Sequence, residues 1–186
     1  MIHQYLDAMA LIETISTELG TTPYIWGGWT LDIHEARPLR THGDIDCFVV
    51  GLHQHLVPFS ERLQEAGWEV KTVLDGHLLS ARKEGVKLQL GHVETHGEIV
   101  HWKHNGNEGT ILFPLDWLCS EPADFLGVTV HVAGPELAYV LKVNPQLMNP
   151  DWQRRDKDRA DIDLLKDLLL EKQIDLDMLR SRVKSI

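Results

Sequence analysis

Two aspartates, Asp44 and Asp46, stand one residue apart in the run Gly43-Asp44-Ile45-Asp46-Cys47-Phe48-Val49-Val50. From Asp44 onward the pattern has period two: Asp44, Asp46, Phe48 and Val50 share one face of an extended segment, and Ile45, Cys47 and Val49 share the other. Carboxylates at i and i+2 of a strand leave the same face about 6.5 to 7 Å apart at Cα. Their side chains can therefore converge on one or two divalent cations. Phosphoryl or nucleotidyl transfer uses such a pair, because metal ions bridge phosphate oxygens, neutralise developing charge and align an in-line attack. An isolated Asp-x-Asp is also how a solvated strand start reads, so the surrounding residues decide its meaning.

Upstream, Gly27-Gly28 separates the apolar run Tyr24-Ile25-Trp26 from a predicted helix that runs from Trp29 to about Ala36 and is closed by Pro38. Strand, glycine turn and helix in this order let backbone N–H groups and a helix N-terminus receive phosphate. A plain tight turn is the alternative. Together, Gly27-Gly28-Trp29 and Arg40-Thr41-His42-Gly43-Asp44-Ile45-Asp46 resemble the small-molecule nucleotidyltransferases of the polymerase-β-like superfamily. The likeness is to the aminoglycoside and lincosamide adenylyltransferase branch, and it is most specific over residues 24–50.

The resemblance implies an α/β fold of the nucleotidyltransferase type: a mixed, mostly antiparallel sheet with packed helices and a small C-terminal helical portion. It implies that Asp44 and Asp46 bind Mg2+ and carry catalysis, that the Gly27-Gly28 backbone holds phosphate, and that Arg40 and His42 line the nucleotide side. Leu137-Ala138-Tyr139-Val140-Leu141-Lys142 and Arg155-Asp156-Lys157-Asp158-Arg159-Ala160-Asp161 look like the helical segments through which the family brings basic residues to phosphate, here Lys142 and Lys157. Plainer readings stand beside these. Arg40 suits phosphate by bidentate hydrogen bonding, but equally a surface ion pair, and His42 suits ordering of its loop. Lys142 can balance a helix dipole, and Lys157 can pair with Asp161 at i,i+4.

The implied reaction moves a nucleoside monophosphate, AMP from ATP or the equivalent from another nucleotide triphosphate, to a hydroxyl of a small molecule. An aminoglycoside-like or lincosamide-like antibiotic, and hence antibiotic resistance, is the setting the resemblance suggests. One departure matters. Family members commonly carry a third carboxylate on a neighbouring strand, and Val86-Lys87-Leu88-Gln89-Leu90-Gly91-His92-Val93 puts Gln89 there. An amide can orient a hydroxyl but cannot take its proton, an ability worth about 10²–10⁴-fold. Glu94 or Glu98 would substitute if a bulge or strand end turned one inward. Otherwise the chain is a slow transferase, relies on the substrate for proton loss, or is a non-catalytic nucleotide-binding relative; a separate alternative is a transferase that acts on a protein or RNA, as toxin–antitoxin relatives do.

Other residue types carry less. His92, His96, His101 and His104 fall within thirteen positions but form no His-Glu-x-x-His, which leaves a histidine-dependent metal hydrolase as a poorly supported reading. Trp29 and Trp68 suit a core, whereas Trp102, Trp117 or Trp152 would stack on a base or sugar, with nothing to rank them. Cys47 alternates with the aspartates and should be a buried thiol facing away from them.

These residues must be positioned by elements whose signals are strong. Ile2, Tyr5, Met9, Ile12, Ile15 and Leu19 predict an amphipathic helix ended by Gly20, and Leu52, Leu56, Phe59, Leu63 and Ala66 predict a second, interrupted by Pro58 and stopped at Gly67. Residues 68–132 read as an antiparallel meander with strands at 68–72, 77–82, 86–90, 98–102, 110–113 and 128–132, and turns at Asp75-Gly76, Glu84-Gly85 and Asn105-Gly106-Asn107. Helices follow after Pro135, over 156–170 and over 175–183. The expected organisation is a core over 1–133 with the 134–186 helical portion packed on the same domain.

At 186 residues, 43% hydrophobic and 25% charged, this is the composition of one folded globular unit. Lys and Arg number 18 and Asp and Glu 28, a net charge of −10, which disfavours a duplex nucleic-acid binder but not a local basic pocket. An acidic cleft rim would suit a cationic acceptor. Two cysteines give no disulfide framework, and no apolar run approaches the roughly eighteen residues of a membrane span. A reduced, cytoplasmic setting without membrane contact is the expectation.

Overall fold

A computed structural model describes residues 2–73, 76–103, 109–118 and 121–185. Cys119, His104, Asp75 and the Asn105-Gly106-Asn107 turn lie outside the described residues. The chain opens with α1 (Ile2–Glu18), whose buried Tyr5, Met9, Ile12 and Ile15 are the stripe anticipated from the sequence; Gly20 then adopts a φ of 67°. Strand β1 (Pro23–Trp26) leads through Gly27-Gly28 into α2 (Trp29–His34), a six-residue helix that stops two residues short of Ala36. Strand β2 (Ile45–Val50) carries Asp46, with Asp44 immediately before its first residue, and α3 (Leu52–Glu65) accommodates Pro58 within its length.

The meander is present: β3 (Glu69–Val73), β4 (Leu78–Lys83), β5 (Val86–His96), β6 (Ile99–Lys103) and β7 (Thr110–Pro114) are successively antiparallel. Glu84 and Gly85, with φ of 48° and 85°, make the two-residue turn between β4 and β5, whose double positive φ matches strand twist. Strand β5 is six residues longer than its alternation suggests, because it changes partner. Residues 86–91 pair with β4 and residues 93–96 with β6.

A small hairpin, β8 (Ala123–Phe125) with β9 (Val128–Val130), precedes α4 (Pro135–Val143), α5 (Asp156–Glu171), α6 (Leu176–Ser181) and the short β10 (Lys184–Ser185). The chain therefore ends in a strand on β7, where sequence periodicity continues a helix to residue 183. The large sheet runs β1-β2-β5-β6-β7-β10, with β4 and then β3 joined at β5. Among its pairs, β2 with β5 is parallel and the others are antiparallel.

Two apolar clusters form on this sheet. One joins Ile45, Cys47 and Val49 of β2 to the buried sides of α1 and α3; the other joins Phe48, Val93, Trp102 and Phe113 to α4, α5 and α6. Alternation along β2 thus sends the Cys47 thiol into the first layer and the aspartates toward the second. No helix among the described residues is long and apolar enough to cross a membrane.

Candidate active site

The loop that delivers Asp44 is fastened before the strand begins. Trp29 Nε1 donates to the Asp44 carbonyl at 2.9 Å, and the Tyr5 hydroxyl donates to the His42 carbonyl at 2.7 Å. The His42 ring stacks on Trp29 at 4.1 Å, with its Nε2 2.9 Å from Oδ2 of the buried Asp32 and its Nδ1 3.1 Å from Arg40 Nη1. With both ring nitrogens engaged and the side chain 3% exposed, His42 is tied into the loop that lines the site.

Over the aspartate face of β2 opens a cavity of about 300 Å³, bounded on the far side by α4 and the start of α5. The site residues that the family resemblance implies reach its wall: Asp44 and Asp46, Gly27 and Gly28, Arg40 and His42, and, from the C-terminal helices, Lys142 and Lys157. Gly27 takes a φ of +76°, and a Cβ there would stand 3.0 Å from Asp46 Oδ2. A Cβ at Gly28 would lie 2.6 Å from Arg40 Nη2 and 2.7 Å from His42 Nδ1. Gly27 is required by its left-handed backbone as well as by closeness to Asp46, whereas a side chain at Gly28 would have to displace the Arg40 and His42 side chains.

Asp46 is half-buried between Trp26 of β1 and Gln89 of β5, its direct neighbours across the sheet. Burial first, then the charge of Asp44, pushes its carboxyl up to about 7, against the opposing pull of Lys87, Lys142 and Lys157. Two carboxylates crowded in this way fit a divalent cation, which would relieve both the burial and the repulsion. Among the described residues no group of three or more His, Cys, Asp or Glu side chains is arranged to hold a metal ion. Mg2+ takes one or two carboxylates and completes its shell with phosphate oxygens and water, so the pair suffices.

A raised carboxyl has a stability signature. The Asp46 contribution is fully present below the ordinary carboxylate range near 4 and is lost as pH rises through about 7. At about 1.4 kcal/mol per pKa unit the loss is on the order of a few kcal/mol. The metal-free protein is therefore expected to lose thermal stability between pH 5 and 8, and Asp46→Asn to flatten that slope, as read by thermal melts across the range.

Gln89 lies where the third carboxylate was sought, beside Asp46 in the β2–β5 register. With its amide nitrogen turned to Asp46, it donates to Oδ1 at 3.2 Å and its oxygen accepts from Lys87 Nζ at 3.2 Å. Neither substitute turns inward. Glu94 is exposed and bound to His92 and His96 at 3.2 and 3.3 Å, and Glu98 sits exposed ahead of β6. Neither lies in the cavity wall.

The basic residues are organised by an acid. Asp161 of α5 receives a bidentate hydrogen bond from Arg40, at 3.1 and 2.8 Å, and a third from Lys142 at 2.8 Å. Burial pushes the Asp161 carboxyl up, but the bonds and charges of Arg40 and Lys142 outweigh it and hold it below the ordinary range. The i,i+4 pairing of Asp161 with Lys157 suggested by spacing is replaced by this long-range cluster. Lys157 is exposed at the cavity, with no ion pair among the described residues. Asp158 is in turn gripped by Arg155, at 2.8 and 3.0 Å.

The wall carries more cations than anions. Arg40, Lys103, Lys142, Arg154, Arg155 and Lys157 face three carboxylates, Asp44, Asp46 and Asp158. The overall charge of −10 therefore does not mark the cleft, and no acidic rim is seen among its described residues. Trp102 and Trp152 belong to the wall, Trp117 to the core beneath, and Trp26, read from sequence only as part of a strand, joins the wall as well.

No family model matches the sequence, and no curated protein matches it. Solved structures do. The solution structure of the antibiotic-resistance factor ANT(2″)-Ia superposes with a TM-score of 0.70 at 19% identity, covering 97% of this chain and 91% of that one. The crystal structure of ANT(2″)-Ia in complex with adenylyl-2″-tobramycin gives 0.69 at 19% identity, over 97% and 96% of the two chains. The lincosamide antibiotic adenylyltransferase LnuA, bound to lincomycin, gives 0.61 at 18% identity, over 84% and 93%. The resemblance read from residues 24–50 thus extends to the architecture of the chain, which has the nucleotidyltransferase fold.

Proposed function

We propose that this chain is a nucleotidyltransferase that moves a nucleoside monophosphate, AMP from ATP, onto a hydroxyl of a small molecule. The observation that carries the reading is the meeting of Asp44 and Asp46 with the Gly27-Gly28 turn and the Lys142 and Lys157 side chains around one cavity. The adenylyl-transfer chemistry named for the neighbouring structures supports it. The acceptor oxygen bonds to the α-phosphorus, the bond from that phosphorus to the bridging oxygen breaks, pyrophosphate leaves, and the hydroxyl proton passes to water. Asp44 and Asp46 would hold magnesium, which when bound would supply charge neutralisation and alignment of the phosphates. The protein's own part is positional: backbone N–H groups of the glycine turn meet phosphate, and Lys157 offers a cation not already neutralised.

Thermal stability against ATP, GTP, CTP and UTP, with and without Mg2+, tests the reading, since a ligand of the native state raises apparent stability. A Mg-dependent, nucleotide-selective rise that disappears in Asp44→Asn/Asp46→Asn is expected; no rise at millimolar nucleotide would remove the basis of the proposal.

Gln89 favours a second reading, a nucleotide-binding relative without transfer, because the residue beside Asp46 cannot take a proton. Gln89→Glu separates the two. For a slow transferase the new carboxylate is expected to raise kcat about 10²-fold, at some cost to metal-free stability from a third clustered acid. A variant that binds Mg·ATP but releases no pyrophosphate with any acceptor would favour the second reading.

A further inference from the structure

The two ends of the cavity are chemically unlike. In one part of the wall Gly28 lies against Arg40, and Arg40 and Lys142 share Asp161. From Asp46, the face of the sheet continues to Phe48 on β2 and to Gly91 on β5, which are direct neighbours. Because Gly91 has no side chain, the Trp102 indole reaches over β5; a Cβ at 91 would already touch its Nε1 at 3.4 Å and Phe48 at 3.7 Å. Trp102 meets Phe48 edge-on at 4.8 Å and Trp26 edge-on at 5.0 Å, and Trp26 stacks flat on Phe48 at 4.8 Å with 2° between the planes.

Phe48 and Trp102 are buried beneath, while Trp26 keeps surface in the cavity. The fork where β5 passes from β4 to β6 thus builds an aromatic floor one strand step from the aspartates. Lys103, exposed and without an ion pair among the described residues, stands beside it. So does His77, whose buried Nδ1 has no hydrogen-bond partner. Burial, followed by the charges of Lys103, His92 and His53, holds the His77 imidazole below its ordinary value, so near neutral pH it adds a hydrogen-bonding group without adding charge.

A cationic acceptor would meet Lys103 and find its nearest carboxylates at the metal position. A ring with an apolar face would instead lie on Trp26, as sugars and aromatic rings do on indole, and a negative group on it would meet Lys103.

We infer that this end is the acceptor subsite, and that it takes a ring-bearing hydroxyl compound that is anionic or neutral and not a polyamine. The inference deepens the transferase reading and rests on it for the word acceptor; the binding preference stands on the aromatic floor and Lys103 alone.

The test uses the full chain without nucleotide and three probes: 4-nitrophenyl β-glucuronide, 4-nitrophenyl β-glucoside and tobramycin, each titrated by calorimetry at low salt. Both glycosides are expected to bind, the glucuronide more tightly, with tobramycin at least about tenfold weaker than the glucoside. Trp26→Leu is expected to weaken both glycosides about tenfold. Lys103→Glu, at an exposed position that folding does not depend on, should weaken the glucuronide alone. Tighter binding of tobramycin, absence of glycoside binding at millimolar concentration, or glycoside binding indifferent to both substitutions overturns the inference. A parallel titration with Mg·ATP reads the other end. Failure there removes the transferase reading and leaves the glycoside preference to stand or fall by its own result.

Discussion

Replacing Asp44 and Asp46 together by asparagine is expected to lower Mg-dependent pyrophosphate release from ATP by about 10³-fold or more, with the folded structure retained. The size follows from the several kcal/mol that a bound metal contributes to a phosphoryl transition state, at about 1.4 kcal/mol per tenfold in rate. Retention of the fold follows from the position of the pair. Both side chains face the cavity, the apolar face of β2 is untouched, and removal of the Asp46 charge relieves burial and the repulsion of Asp44. The double variant is therefore expected to melt no lower than the metal-free wild type at pH 8, while its response to Mg·ATP vanishes. A variant that still transfers nucleotide would sink the assignment of these carboxylates.

The other large effect belongs to stability. Asp161→Ala removes the anion that Arg40 and Lys142 share and leaves two cations facing one another in a site that is 3% exposed at Asp161. Breaking a buried pair from one side costs about 3–5 kcal/mol, and the quarter exposure of the Arg40 side chain argues for the lower end. For a chain of this size about 3 kcal/mol corresponds to a fall in Tm of about 6–12 °C. The acid limb should change as well. The folded carboxyl is depressed, so its contribution is present above the ordinary carboxylate range and lost as pH falls through the folded value. Asp161→Ala should lack that part of the acid unfolding slope, and equal slopes in the two proteins would assign the stabilisation elsewhere.

Local spacing carried much of the site. The i and i+2 aspartates, the Gly-Gly turn and the alternation that put Cys47 on the opposite face are all short-range patterns, and a strand fixes them within a few residues. The position of Gln89 came from the resemblance, and the β2–β5 register bears out its place beside Asp46. What escaped was set by contacts distant in sequence. Asp161 carries an i,i+4 lysine that fits a surface pair, and nothing nearby signals that Arg40 lies across from it. Trp26 reads as one more apolar strand residue until β1 is laid against β2. The extra length of β5 and the final strand β10 likewise depend on partners that alternation cannot name.

The Arg40–Asp161 bond joins residues 121 positions apart, and it ties the loop before the aspartates to the last long helix. During synthesis, strands β1 to β7 emerge before that helix exists. Contacts of such separation are slow to form because loop closure must precede their reward. The cation cluster beside the aspartates is therefore fastened only after α5 has docked, and a nascent chain halted before residue 161 has Arg40 and Lys142 without the acid that holds them together.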